Sequence, residues 1–205
     1  MKHILAFSAT LLAAGSVFAA PMTPGDLLIY RVGDGSAALS AAATAVFLDE
    51  YTALGTFVQS IPLPTSGGTA LTAVGNATTE GIMSFSANGS AIVFGGYRAD
   101  VGTASPGGAT VNRTIGTFSP SSGLFDTSLA ITDAGTGVPR SVTSTDGSSL
   151  FYMGTSTGVR YIGSPGPAGT STLIDSRNSR QVLLSGDRLF ASNGSTGLTP
   201  KVQDY

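Results

Sequence analysis

The chain of 205 residues has no cysteine and no tryptophan, and its one histidine is His3. Without cysteine there can be no disulfide, no thiol nucleophile and no thiolate-bound metal. Charge is scarce as well: Asp, Glu, Lys and Arg make up 11% of the residues, and no run of basic side chains occurs. Neutralising a phosphate backbone requires such a basic patch, so nucleic acid is excluded as a partner. Long apolar runs are also missing, with one exception at the very start. The opening "MKHILAFSATLLAAGSVFAAPMTPG" has Lys2 and His3, then an apolar stretch over 4–17, then Val17-Phe18-Ala19 with Pro21 just beyond. A short basic start, a brief apolar run and small residues before a cleavage bond form a secretory signal. The run is shorter than the ~20 residues a spanning helix requires.

The expectation is therefore a signal peptide over 1–20, cleaved near Ala20, and a secreted mature domain over 21–205. That domain would be extracellular or periplasmic and have no membrane span of its own. Cleavage would remove His3 and Lys2. The mature chain then has no imidazole for a Ser-His-Asp or Cys-His arrangement and no zinc site of the usual His/Cys kind. Its nine basic residues against twelve acids leave a net charge of about −3.

What the chain does have is glycine, serine, threonine and alanine, with apolar residues at 41% gathered into short runs. "DLLIYRV" (26–32), "AVFLDEY" (45–51), "TFVQSIPL" (56–63), "IMSFSA" (82–87), "AIVFGGY" (91–97), "TIGTFS" (114–119), "SLFYMG" (149–154), "GVRYIG" (158–163), "RQVLLS" (180–185) and "RLFASN" (188–193) are all strand-length. They are rich in β-branched or aromatic residues and are punctuated by Gly, Pro, Asn, Asp or Ser. That pattern predicts an all-β fold, a sandwich, barrel or propeller. The alanine-rich "GSAALSAAATAVF" (35–47) lacks an amphipathic period and reads as a loop leading into a strand.

Three segments repeat a pattern: "IMSFSANGSAIVFGGY", "RSVTSTDGSSLFYMGT" and "RQVLLSGDRLFASNGS". In each, a strand runs into Asn88-Gly89, Asp146-Gly147 or Ser185-Gly186, and three residues after the glycine comes Ile92, Leu150 or Leu189. The glycine spacings differ because "RADVGTASPGGATVN" (98–112) reads as an inserted loop. A unit of roughly forty residues with about four strands has the size of a propeller blade. Units over 25–75, 80–135, 139–178 and an incomplete 179–205 give about 3.5 blades, the last with two strands. The expectation is an array left short of a full ring, or else a compact sandwich.

"GDLLIYRVGDGS" and "AVFLDEYTALGTFVQSIPLP", with "TTEGIMSFSANG", "VPRSVTSTDG" and "NSRQVLLSGD", resemble a group of secreted bacterial β-propeller-like proteins of unassigned activity. Some of these carry a C-terminal cell-envelope sorting tail. The resemblance implies a propeller fold and export. It implies no activity, and this chain has neither further blades nor a sorting tail.

Candidate sites follow from spacing. Asp146 lacks the alternating oxygens of a calcium loop and reads as a hairpin turn, where Asp-Gly and Asn-Gly place both central residues at positive φ. Asp49 and Glu50 are neighbours on a strand, so alternation sends them to opposite faces. They cannot form a close catalytic pair and read as solvated edge charges. Glu80, Arg140 and Arg180 each precede or open the first strand of a repeat. In a propeller these positions converge at the channel mouth, where an acid and two arginines suit an anionic or carbohydrate-like ligand. A structural ring of ion pairs uses the same residues. The sequons at Asn76, Asn88, Asn112 and Asn193 arise readily by chance in so Ser/Thr-rich a chain.

No catalytic residue, metal ligand or cofactor is read from the sequence. The leading expectation is a binding or structural protein whose partner is a small molecule, a carbohydrate or a surface protein. The alternatives are a propeller-type hydrolase or lactonase-like enzyme with its site at the channel mouth, and a secreted β-sandwich adhesin.

Overall fold

The computed structural model describes residues 19–108, 110–133, 137–194 and 202–205. Of the signal peptide expected over 1–20, residues 1–18 lie outside the described residues. The described residues form an all-β protein with antiparallel sheets and one 3₁₀ turn at Gly67–Thr69. None of its helices is long and apolar enough to cross a membrane.

The chain begins with β1 (Leu27–Val32), β2 (Ala43–Tyr51) and β3 (Phe57–Pro62), a meander in which β1 and β3 flank β2. The alanine-rich stretch before Ala43 is not helical, as its missing period requires. The nine-residue β2 outlasts β3, and β4 (Thr72–Val74) takes over along the same edge, pairing with Ala43–Ala45. The carbonyls of Val46 and Ala42, which alternate onto that edge, accept from Leu63 N and Gly75 N. Through β4 the first meander joins a second: β5 (Ser84–Phe85), β6 (Ile92–Tyr97), β7 (Arg113–Phe118) and β8 (Phe125–Ile131). The result is one eight-stranded sheet where repeat units alone suggested two.

Next come a four-stranded meander, β9 (Pro139–Thr143), β10 (Phe151–Thr155), β11 (Gly158–Gly163) and β12 (Thr172–Asp175), and a three-stranded one, β13 (Ser179–Ser185), β14 (Arg188–Asn193) and β15 (Val202–Asp204). The last unit therefore has three strands, not two. "VQD" is too short and polar to register as a strand, yet it pairs with Phe190–Ser192.

The core is continuous because β6 is buried on both faces. All six residues of "IVFGGY" are buried: Phe94 packs with Val46, Leu48 and Phe118, while Val93 packs with Ile115, Val142 and Phe151. Each such aromatic or branched side chain contributes ~1.5–3 kcal/mol by leaving water. Gly116 makes room for the Phe94 ring, which would lie 2.1 Å from a Cβ at that position. A third cluster, with Val159, Val182 and Leu189, joins β11 to β13 and β14.

The first strands of the repeats lie side by side. Ile82 bridges Ser141 in parallel and its N–H donates to Arg140 O at 3.0 Å, while Ala87 N donates to Ser144 O. On the other side of β9, Val182 N donates to Ser141 Oγ at 2.9 Å and Leu184 N to Thr143 Oγ1 at 3.1 Å. Hydroxyls at alternate positions of β9 thus serve the backbone of β13.

The repeated turns are built differently from the double positive-φ geometry expected. Gly89 and Gly147 have φ of +73° and +79°, but Asn88 and Asp146 stay out of that region. Their side chains fold back as local caps instead, Asn88 Oδ1 accepting from Ser90 N and Asp146 Oδ1 from Ser148 N and Ser149 N. Ser185 pairs directly with Arg188, which makes Gly186-Asp187 a two-residue hairpin loop with the glycine first.

Candidate functional site

Glu80 stands just before the short first strand of its repeat and reaches into the protein. Its Oε2 accepts from Val74 N at 3.0 Å and its Oε1 from the Tyr97 hydroxyl at 2.7 Å. Burial pushes its carboxyl above the usual range, against the two hydrogen bonds and the charges of Arg113 and Arg140. Tyr97, fully buried at the end of β6, is held well above its ordinary value by burial first and the Glu80 charge second. Tyr30 on β1 is raised for the same two reasons, and its hydroxyl donates to Gly95 O at 3.3 Å.

Arg140 opens β9 and is buried. Its Nη1 donates to Ser179 O at 3.4 Å, while its Nε has no partner among the described residues. Burial lowers its pKa, the like charge of Arg180 lowers it further, and Glu80 pulls the other way. Ser179, also buried, has an Oγ without a partner among the described residues. Arg180 follows it on β13 and is half-buried against Gly194, where a Cβ would come within 2.5 Å of the guanidinium Nε. Glu80, Arg140 and Arg180 thus share one electrostatic neighbourhood, at the same end of three adjacent strands.

Sequence reasoning missed three contributors. Tyr30, Tyr97 and Arg113 come from β1, β6 and β7, not from the repeated first strands. Arg113 is buried, stacks at 5.0 Å from the Tyr97 ring centre, and donates through Nε to Gly137 O at 2.7 Å and through Nη1 to Val111 O. Burial lowers its pKa, opposed by Tyr97 and Glu80. An arginine at the head of "RTIGTF", a strand buried almost throughout, was the available signal.

Asp146 belongs to a turn. Three contacts, from Ser148 N, Ser149 N and Ser149 Oγ, saturate its carboxylate. Led by the Ser148 N–H, they bring its pKa down to about 2. Asp49 and Glu50 do face opposite ways, but neither is a solvated edge charge: they are 3% and 0% exposed. The reason is that β2 is a central strand. Asp49 accepts from Arg31 Nε at 2.5 Å and Ser60 Oγ at 2.5 Å. Glu50 accepts from Thr23 N at 3.0 Å and Gln59 Nε2 at 2.6 Å. Beside this corner lies a mainly apolar pocket of about 510 Å³, walled by Met22, Leu27, Leu28, Met83, Phe85 and Ile92 among others.

Among the described residues no three His, Cys, Asp or Glu side chains gather closely enough to hold a metal ion. No protein-family model matches the chain, and no curated protein matches it.

Proposed function

We propose that this is an exported, propeller-like binding module of the resembled secreted bacterial group, and that, of the set Glu80, Arg140 and Arg180, the two arginines hold the acidic part of its ligand while Glu80 lies beside them as part of the same site. The observation that carries this reading is Arg140: a buried guanidinium whose Nε has no acceptor, beside a second arginine and an unpartnered Ser179 hydroxyl. A buried cation with an N–H left without an acceptor is costly unless something supplies one. A carboxylate or sulfate does so well, because its paired oxygens match the guanidinium fork. The parallel lateral contacts of segment 82–88, β9 and β13 support the propeller arrangement, since inner strands of successive blades run this way around an axis. With one acid already saturated by Tyr97 and Val74, the cluster suits recognition better than general acid–base chemistry.

The test is calorimetric titration with small carboxylates, sulfate and uronic-acid oligosaccharides. An acidic ligand is expected to bind, and Arg180→Gln is expected to weaken it by tenfold or more. Failure of every acidic probe, or equal affinity in the variant, would sink the proposal.

A further inference from the structure

Glu50 is the most buried acid of the described chain, and its two acceptor contacts are to neutral donors, Thr23 N–H and the Gln59 amide. None of the ion pairs among the described residues includes it. Asp26 stands beside it, brought there by the turn in which Asp26 N donates to Thr23 O and Gly25 takes φ of +96°. Burial, then a carboxyl–carboxyl hydrogen bond with Glu50 and its charge, push the Asp26 carboxyl above its usual range. Two acids at one corner with no ion-paired cation among the described residues is the reverse of what burial of charge requires.

The missing cation is available in the chain itself. Ala20 N lies 3.2 Å from Gln59 Oε1, and Gln59 Nε2, which donates to Glu50 Oε2, also donates to Ala20 O at 3.0 Å. Gln59 thus bridges the exposed Ala20 backbone to the Glu50 carboxylate. The expected cleavage near Ala20, with the mature domain from residue 21, is refined to the bond one residue earlier. Val17 and Ala19 are small residues at the third and first positions before the Ala19–Ala20 bond, whereas cleavage one residue later would put Phe18 at the third.

We propose that hydrolysis of the Ala19–Ala20 bond builds this corner's counter-charge. Water adds across the amide, catalysed by a leader-cleaving peptidase. The leader departs with the Ala19 carboxylate, and the Ala20 nitrogen takes up a proton to become an α-ammonium held by Gln59, Glu50 and Asp26. Processing then does more than release the chain: it adds a positive charge to a contact that the uncleaved chain already makes through Gln59, and so ties the mature N-terminus more firmly to β2 and β3. The inference rests on the export part of the proposed function and is independent of the arginine cluster.

The full-length chain, expressed in a bacterium and recovered from the periplasm, tests it. Intact mass is expected to give a chain starting at Ala20. That chain has two amines, the α-amine and Lys201. With an amine-acylating reagent at pH 7, the α-amine should react at least about tenfold more slowly in the folded protein than in denaturant, a one-unit rise from its ordinary ~7.7–8.0. Glu50→Gln should erase most of that protection. Because the variant could lose its fold, a second comparison uses the wild-type sequence with Gly-Ser added before Ala20, whose melting temperature should fall by about 4 °C or more.

A periplasmic chain starting elsewhere, an α-amine as reactive folded as unfolded, or equal melting of the extended chain would each overturn the inference and leave export standing. A chain retained unprocessed in the cytosol would overturn both.

Discussion

The N-terminal corner around β2 and the cluster at the heads of β9 and β13 bury charge of opposite sign, and they compensate it differently. At the corner, Asp49 meets the Arg31 guanidinium on one face of β2, while Glu50 on the other meets only neutral donors. At the cluster, Arg113 is served by the carbonyls of Gly137 and Val111, and Arg140 by that of Ser179, with Glu80 the one carboxylate acting on both. In a chain with so few charges, one buried without full compensation is evidence of a missing partner. On the readings proposed above, the corner's partner is the chain's own N-terminus and the cluster's is a ligand.

Three substitutions sharpen this contrast. The largest effect is expected from Glu80→Ala, which strips Val74 N–H and Tyr97 O–H of their acceptor and removes the cluster's acid. A loss of about 3–4 kcal/mol in urea unfolding follows from two buried donors left unpaired beside uncompensated cations. A loss below about 1 kcal/mol would mean that the arginines do not depend on Glu80.

Asp49→Asn should cost less, about 2 kcal/mol, through a weakened buried pair with Arg31. Burial raises the Asp49 pKa, but hydrogen bonds from Arg31 and Ser60 and the Arg31 charge outweigh it, leaving the folded value below the unfolded ~3.9. Its contribution is therefore present above about pH 4 and fades as pH falls below that. Unfolding measured from pH 6 to 2.5 should show a shallower acid limb in the variant.

The smallest effect carries the most information about function. Arg180→Met should raise stability by about 1 kcal/mol, because it relieves the repulsion felt by Arg140 in a site held for a ligand. A loss of similar size would instead identify a structural ring.

The strands were legible where β-branched and aromatic residues sit between glycine, asparagine and aspartate, as in "DLLIYRV" and "GVRYIG". They were hidden where burial comes from neighbours and not from composition. "FDTSLAI" has three polar residues among its seven, yet Thr127 is buried as part of β8 with its hydroxyl donating to Thr69 O. "TAV" is a strand only because the unpaired half of β2 offers an edge. Leu150 falls within the expected strand "SLFYMG" (149–154) but sits at φ of +49° just outside β10. Glu80, Arg140 and Arg180 were legible as a set because each stands at the same point of a repeat. Tyr30, Tyr97 and Arg113 were not, since no repeat relates them. The burial of Asp49 and Glu50 was unreadable for a related reason: a strand's local pattern gives the two faces but not what covers them.

The way β3 and β4 share one edge of β2 sets how this protein comes apart. The residues of β2 are stitched to the first meander at one end and to the second at the other, so neither meander can peel away without exposing amides of the other. Everything from Leu27 to Ile131 must open as a unit. The β9–β12 sheet is tied to that unit by backbone hydrogen bonds, from Ile82 N to Arg140 O and from Ala87 N to Ser144 O on one side and between Ala130 and Gly169 on the other. The β13–β15 sheet is instead tied on mainly by the Ser141 and Thr143 hydroxyls and by packing, and can fray alone. In an environment with proteases, the chain would be trimmed first at its last three-stranded sheet, leaving the eight-stranded sheet with β9–β12 attached as the resistant remnant.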